Sequence, residues 1–296
     1  MTDNSDDKNF PPGKRQYTLD FAYHGGIYRD VWMIGKSSVA ITDALEADKV
    51  AGGGVFVHFD NISGKKAEVY VDTEVHNSGK RTRTVAVETV LADAGDVPVK
   101  RISQQVKLQA GESKTVRQQF AVRNPKLWSP DSPYLYRIQS RVKAGHEVLD
   151  GGVTRVGIRK AEFKGKDGFW LNGKPFGQLV GANRHQDFAY VGNALPNSQQ
   201  WRDAKRLRDA GCTIIRVAHY PQDPAFMDAC DEMGLFVIVA TPGWQYWNKN
   251  PEFAKLVHRN TREMIRRDRN HPSVLMWEPI LNETPYPREF ALEALR

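Results

Sequence analysis

Ser273-Val-Leu-Met-Trp-Glu-Pro-Ile-Leu-Asn-Glu283 decides how the second half of this chain folds. It opens as a short apolar run and closes on an amide beside a carboxylate. A continuous apolar run of this length suits a parallel strand buried on both faces. A polar group at the C-terminal end of such a strand is where a (β/α)8 barrel carries its chemistry.

Reading back from that run, strands and helices alternate, which is the mark of a parallel sheet. Residues 251–269 predict a long helix and 235–240 a strand. Asp223-Pro224 opens a helix that Gly234 stops, an acceptor and a φ-fixing ring at one end and a residue tolerant of positive φ at the other. Thr213 to Val217 is a strand, and Ser198 caps a helix running to Ala210, with Gly211 as its stop. Gly177 to Ala182 is the first strand of the series, and Phe169 to Pro175 is a small hairpin closing the barrel bottom. Residues 159–296 therefore predict the first four βα units of a TIM barrel. A complete barrel takes ~250 residues.

Ahead of it, residues 44–158 alternate apolar and polar positions, with turns at Asn77-Ser-Gly79, Asp93-Ala-Gly95, Ala110-Gly111 and Ala144-Gly145. About seven short strands in about 100 residues predict an immunoglobulin-like β-sandwich. The proline-pinned loop Asn124 to Pro133 carries Trp128, expected to fill one end of it. Residues 1–43 read as two strands, Tyr17 to Phe21 and Ile27 to Ile34, either side of Gly25-Gly26. Two or three strands cannot bury a core alone, so they read as the C-terminal strands of a β domain. The chain reads as cut at both ends.

Composition is that of a soluble globular protein, with 40% hydrophobic and 26% charged residues. No apolar run reaches the ~18 residues of a membrane helix, and Met1 to Lys8 has no apolar signal-peptide segment. The net charge of +7 is spread along the chain. Its densest cluster, Arg262, Arg266, Arg267 and Arg269, alternates with Glu263 and Asp268 and reads as a solvated helix face rather than a nucleic-acid stripe. Cys212 and Cys230 show no metal spacing and read as buried free thiols.

Every strand end in the barrel half carries polar or aromatic groups. The first gives Asn183-Arg-His-Gln-Asp187, the second Arg216 and then His219-Tyr220, the third Trp244, Tyr246 and Trp247, the fourth Asn282-Glu283. In a barrel these ends share one mouth. Carboxylates and amides bind hydroxyls and indole rings stack on a pyranose face, so the set suits a sugar. Singly, Arg216 could bridge strands, the tryptophans could be loop core and Glu283 could cap a helix.

These residues resemble glycoside hydrolase family 2, whose members include β-galactosidases, β-glucuronidases and β-mannosidases. Gly25-Gly-Ile-Tyr-Arg-Asp-Val31 looks like the final strand of that family's N-terminal jelly roll. Leu127-Trp-Ser-Pro-Asp-Ser-Pro-Tyr-Leu-Tyr136 is similar to its sandwich signature. Gly181-Ala-Asn-Arg-His185, Ile215-Arg-Val-Ala-His-Tyr-Pro221 and Asn282-Glu283 follow in the family's order. The resemblance implies a jelly-roll remnant over 1–43, the sandwich over 44–158 and the barrel half over 159–296.

By the same resemblance Glu283 is the general acid/base and Asn282 contacts the sugar 2-hydroxyl. His185 and His219 line the glycone pocket, and Arg216 orients catalytic carboxylates. Asp20 reaches in from the jelly roll to bind glycone hydroxyls. Arg184 stands where β-glucuronidases usually carry lysine, which leans toward a β-galactosidase. Ala240 to Trp247 lacks the carboxylate and histidine that hold magnesium in some β-galactosidases, so neither metal nor cofactor is expected. Trp244 is expected instead as a stacking wall for substrate.

A retaining glycosidase needs two carboxyls ~5–5.5 Å apart. The family's nucleophile is a glutamate on strand seven, outside these residues, and Glu278 beside Pro279 is a poor substitute. The expected activity is thus a retaining exo-glycosidase acting on β-galactosides, with residues 1–296 inactive alone. The alternatives are a β-glucuronidase or β-mannosidase, or a non-catalytic carbohydrate-binding or scaffold protein. The expected partner is a carbohydrate, with no nucleic acid or membrane. Self-association of the complete protein and its compartment stay open.

Overall fold

The computed structural model describes residues 6–19 and 24–295. They form two compact units, one of Met33–Gln178 with Arg269–Pro272, the other of Leu179–Asp268 and Ser273 onward with the residues up to Trp32.

The first unit is built on two four-stranded antiparallel sheets. In one, β3 (Lys66–Asn77) pairs on one side with β1 (Val39–Ile41) and β2 (Val55–Asp60), and on the other with β6 (Ser113–Arg123). The other runs β5 (Pro98–Leu108), β4 (Arg83–Ala92), β7 (Tyr136–Ala144), β8 (Glu147–Val156). The period-2 reading of the sequence is visible in β6. Val116, Gln118, Phe120 and Val122 are buried, while Thr115, Arg117 and Gln119 face out. Inward residues of both sheets meet in one apolar cluster that includes Val69, Val71, Phe120, Leu91, Ile138 and Val156. The buried Gln118 donates from Nε2 to Val87 O at 2.9 Å, tying one sheet to the other. Trp128 is fully buried in this unit, as its loop predicted. A three-stranded piece, β9 (Ala161–Phe163), β10 (Phe169–Leu171) and β11 (Lys174–Pro175), includes the expected hairpin. It clusters with this unit, where Asn172 Nδ2 donates to Trp128 O at 3.0 Å.

The second unit holds a parallel sheet in the order β12 (Gly181–Arg184), β13 (Ile214–Val217), β14 (Phe236–Ala240), β15 (Val274–Glu278). Between successive strands run α1 (Asn197–Asp209), α2 (Pro224–Met233) and α3 (Pro251–Asp268), and α4 (Arg288–Ala294) follows β15. Asp223 caps α2 by accepting Ala225 N–H at 2.9 Å, and Gly234 ends it at φ +72°. Ile215, Val217, Val237, Val239 and Val274 pack with Phe226, Met227, Cys230 and Met264 of the helices. No described helix is long and apolar enough to cross a membrane.

Three expectations are corrected. Ile27 to Ile34 forms no strand, and Ile27, Val31, Trp32, Met33 and Ile34 are exposed. Of Tyr17 to Phe21, the described part holds a 3-10 turn at Gln16–Thr18. A strand needs a partner for its backbone groups, and no described strand lies beside either stretch. Val39–Ile41 is β1 of the sandwich, and the described residues up to Trp32 cluster with the parallel sheet. Ser198 does not cap α1, which begins one residue earlier with Pro196 at its N-cap and no side-chain cap.

Candidate active site

Register decides which strand residues face the helices and which face the barrel interior. Asn183, Arg216, Ile238 and Met276 are aligned across the sheet, and Arg184, Val217, Val239 and Trp277 form the next rung. Successive side chains on a strand point to opposite faces. Val217 and Val239 pack in the helix-side core, so Arg216 faces the interior and Arg184 does not.

Arg184 confirms that placement. It is 5% exposed, with Nη2 donating to Gln200 Oε1 and Asp203 Oδ2, both at 2.8 Å, and Nη1 to Gln222 Oε1. Its guanidinium lies 4.0 Å from the centroid of Phe226 on α2. All its partners are on or beside α1 and α2, so it holds helices to the sheet.

Arg216 grips Glu278 with two bonds, Nε to Oε2 at 2.8 Å and Nη2 to Oε1 at 2.7 Å. Nη2 also reaches Asn282 Oδ1 at 3.0 Å. Such a fork-on-carboxylate pair fixes orientation as well as charge. Glu278 lies two residues after Met276 on β15, hence on the same interior face as Arg216. Arg216, expected to orient catalytic carboxylates, thus holds Glu278, which the sequence offered only as a poor substitute nucleophile.

Glu283 sits in the turn after β15 at φ +60°, a region that L residues avoid. Its Oε2 accepts from Gln245 Nε2, and Gln245 is itself at φ +53°. The Gln245 N–H donates to Thr284 Oγ1 at 3.2 Å. Two neighbouring residues in sparsely populated backbone conformations, with their side chains bonded to each other, mark a built geometry.

His219 is 8% exposed and stacks on Trp244, ring centroids 5.4 Å apart and 5° from parallel. His185 meets its edge at 5.9 Å. Burial, then Arg216 and His185, push the His219 imidazole down to about 4, against which Glu283 pulls upward. His185 is lowered too, mainly by burial. Both rings are therefore neutral near pH 7, able to donate and accept at once. Trp244 is 8% exposed and packs with Ala240 and Leu281. His219 stacks against one of its faces, so the ring backs that imidazole. Trp247 packs on Phe253 and Phe290 and is loop core.

The structure thus brings Glu283, Asn282, Arg216, His219, His185 and Trp244 to the C-terminal ends of the strands. Asp20 lies outside the described residues. Sequence reasoning missed Gln245 and Lys14, whose Nζ donates to Gln245 Oε1, and Arg29. From the motif around Gly25, Arg29 Nη2 donates to Pro221 O at 2.9 Å and Gln186 Oε1 at 3.2 Å. The period of two from Met276 could have found Glu278. Nothing in the sequence signalled Lys14.

Residues 54–159 match the family model for "Glycosyl hydrolases family 2", and residues 162–294 match "Glycosyl hydrolases family 2, TIM barrel domain". The chain belongs to glycosyl hydrolase family 2. Among this family, it is 34% identical over 299 residues to a β-galactosidase of Thermoanaerobacter pseudethanolicus, covering 99% of the chain and 37% of that protein. It is 32% identical over 259 residues to the β-galactosidase BoGH2A of Bacteroides ovatus, covering 85% and 29%. The crystal structure of a Bacteroides uniformis β-glucuronidase superposes with a TM-score of 0.81 at 30% identity, over 88% of this chain and 31% of that one. The chain spans 29–37% of the length of these family 2 relatives.

His219 makes stability depend on pH. An imidazole held near 4 when folded and near 6.5 when unfolded lets the unfolded state bind the proton first. Its contribution is complete above pH ~6.5 and is lost as pH falls toward 4, by up to about 3 kcal/mol. Urea midpoints at pH 7.5 and 4.5 check this. His219→Gln should shrink the acid-side loss relative to wild type, and an identical loss in both would remove His219 as its source.

Proposed function

We propose that the complete protein containing this chain is a retaining exo-glycosidase that hydrolyses terminal β-linked sugars, β-galactosides first. Glu283 is its general acid/base, and the nucleophile is a carboxylate outside these residues. The reading is carried by the Asn282-Glu283 pair at the end of β15, with each side chain held by a different neighbour. Arg216 occupies Asn282 Oδ1, which leaves the amide N–H groups to donate to a sugar hydroxyl. Gln245 occupies one oxygen of Glu283, which leaves the other for the glycosidic oxygen. The neutral His185 and His219 supply further donors and acceptors to glycone hydroxyls. Trp244 backs the His219 ring.

The superposition on a β-glucuronidase supports a second reading in which the glycone is a uronic acid. The two separate on a panel of p-nitrophenyl β-galactoside, β-glucuronide and β-mannoside given to the complete protein. Turnover of the galactoside is expected to lead. A lead for the glucuronide replaces the first reading with the second. Turnover of none would leave a non-catalytic carbohydrate-binding protein.

A further inference from the structure

We propose that Lys14 and Gln245 are positioning residues that decide which oxygen of Glu283 carries the transferable proton; this rests on Glu283 being the acid/base. Lys14 lies 231 residues from Gln245 in sequence, yet its ammonium donates to Gln245 Oε1. An ammonium has donors only, so the atom of Gln245 that faces it must be the carbonyl oxygen. The other end of the amide is then Nε2, and it is this that meets Glu283 Oε2. An amide N–H is satisfied by the bare oxygen of a protonated carboxyl and not by its hydroxyl hydrogen. Oε2 is thereby kept bare and the proton belongs on Oε1. Without the cation the amide of Gln245 is free to turn over and present its oxygen to Glu283, which would place the proton on Oε2, directed at Gln245 instead of at a leaving group.

The strap that carries Lys14 is moored to the same loop. Lys14 Nζ stands 4.3 Å from the ring centroid of Trp244. Tyr246 Oη and Asn248 Nδ2 donate to Lys8 O at 3.0 and 2.8 Å. Leu19 packs on the Ala240, Trp244 and Leu281 cluster. Gly13, at φ +76°, presses so closely that a Cβ would lie 2.4 Å from Tyr246 Cε1.

The test uses the complete protein and two β-glycosides of the sugar it turns over best, one of phenol and one of 2,4-dinitrophenol. The dinitrophenolate leaves without a proton and phenolate does not, so the ratio of their kcat/KM values reads proton delivery in the glycosylation step. Lys14→Met is expected to raise that ratio about tenfold or more, part of the ~10²–10⁴ that general acid catalysis contributes. Gly13→Val, which displaces the strap and keeps the ammonium, should move it the same way. Lys14→Arg, which retains a cationic donor, should stay near wild type. Glu283→Gln sets the ceiling. If Glu283→Gln raises the ratio and Lys14→Met does not, this inference fails alone, whether the lysine variant slows both substrates equally or neither. If wild type cleaves neither glycoside, the glycosidase reading fails and takes it down too.

Discussion

Glu283→Gln in the complete protein should lower kcat/KM for a phenyl β-glycoside by about 10²–10⁴-fold. The substitution is isosteric and removes only the exchangeable proton and the charge. Glu283 stands in the turn that follows β15, at the strand ends where barrel loops converge. Its neighbours Asn282, Gln245 and His219 are polar groups held by bonds or stacking to other residues. In the proposed acid/base role Glu283 donates a proton to the departing oxygen in the first step and takes one from water in the second. The amide can do neither, so kcat should fall for every substrate while kcat/KM for a dinitrophenyl glycoside largely survives. A phenyl glycoside hydrolysed at the wild-type rate would show that another group is the acid.

Arg184→Ala should cost about 3–5 kcal/mol of stability, the range found when one member of a buried ion pair is removed. Asp203 would lose its guanidinium, and the buried amides of Gln200 and Gln222 would each lose a donor. Phe226 would lose the plane stacked against it. The order of preference among galactoside, glucuronide and mannoside should stay as in wild type, since none of these contacts reaches the interior face of the sheet. Denaturant unfolding and the glycoside panel read the two halves of this expectation. A changed sugar preference with an unchanged unfolding midpoint would show that Arg184 acts on the pocket.

Much of the fold was legible because local chemistry and tertiary structure agreed. Asp223 and Gly234 bound α2 as their side chains dictate, and the alternation of β6 emerged as the inner face of a sandwich. The reading went wrong where a segment's fate depends on what lies beside it. Ile27 to Ile34 has the composition of a strand, but strand formation is decided by a partner's backbone. Ser198 is a good capping residue, yet α1 starts ahead of it at Asn197. Glu278 was legible in principle, since it shares a face with Met276 and Arg216, but the nearby Asn282-Glu283 pair drew the reading past it.

The sequence by itself determined the order of elements, the sandwich and the parallel half-barrel, and the candidate acid/base. Those depend on hydrophobic period, caps and short motifs, which act within a few residues. Only the tertiary structure decided where each side chain points and what holds it. Neighbours on one strand, such as Arg216 and Val217, sort to opposite faces once the register is set. Trp244 became a buttress because His219 closed one of its faces. Lys14 came to Gln245 across 231 residues, a contact made by the path of the chain and by no pattern within it.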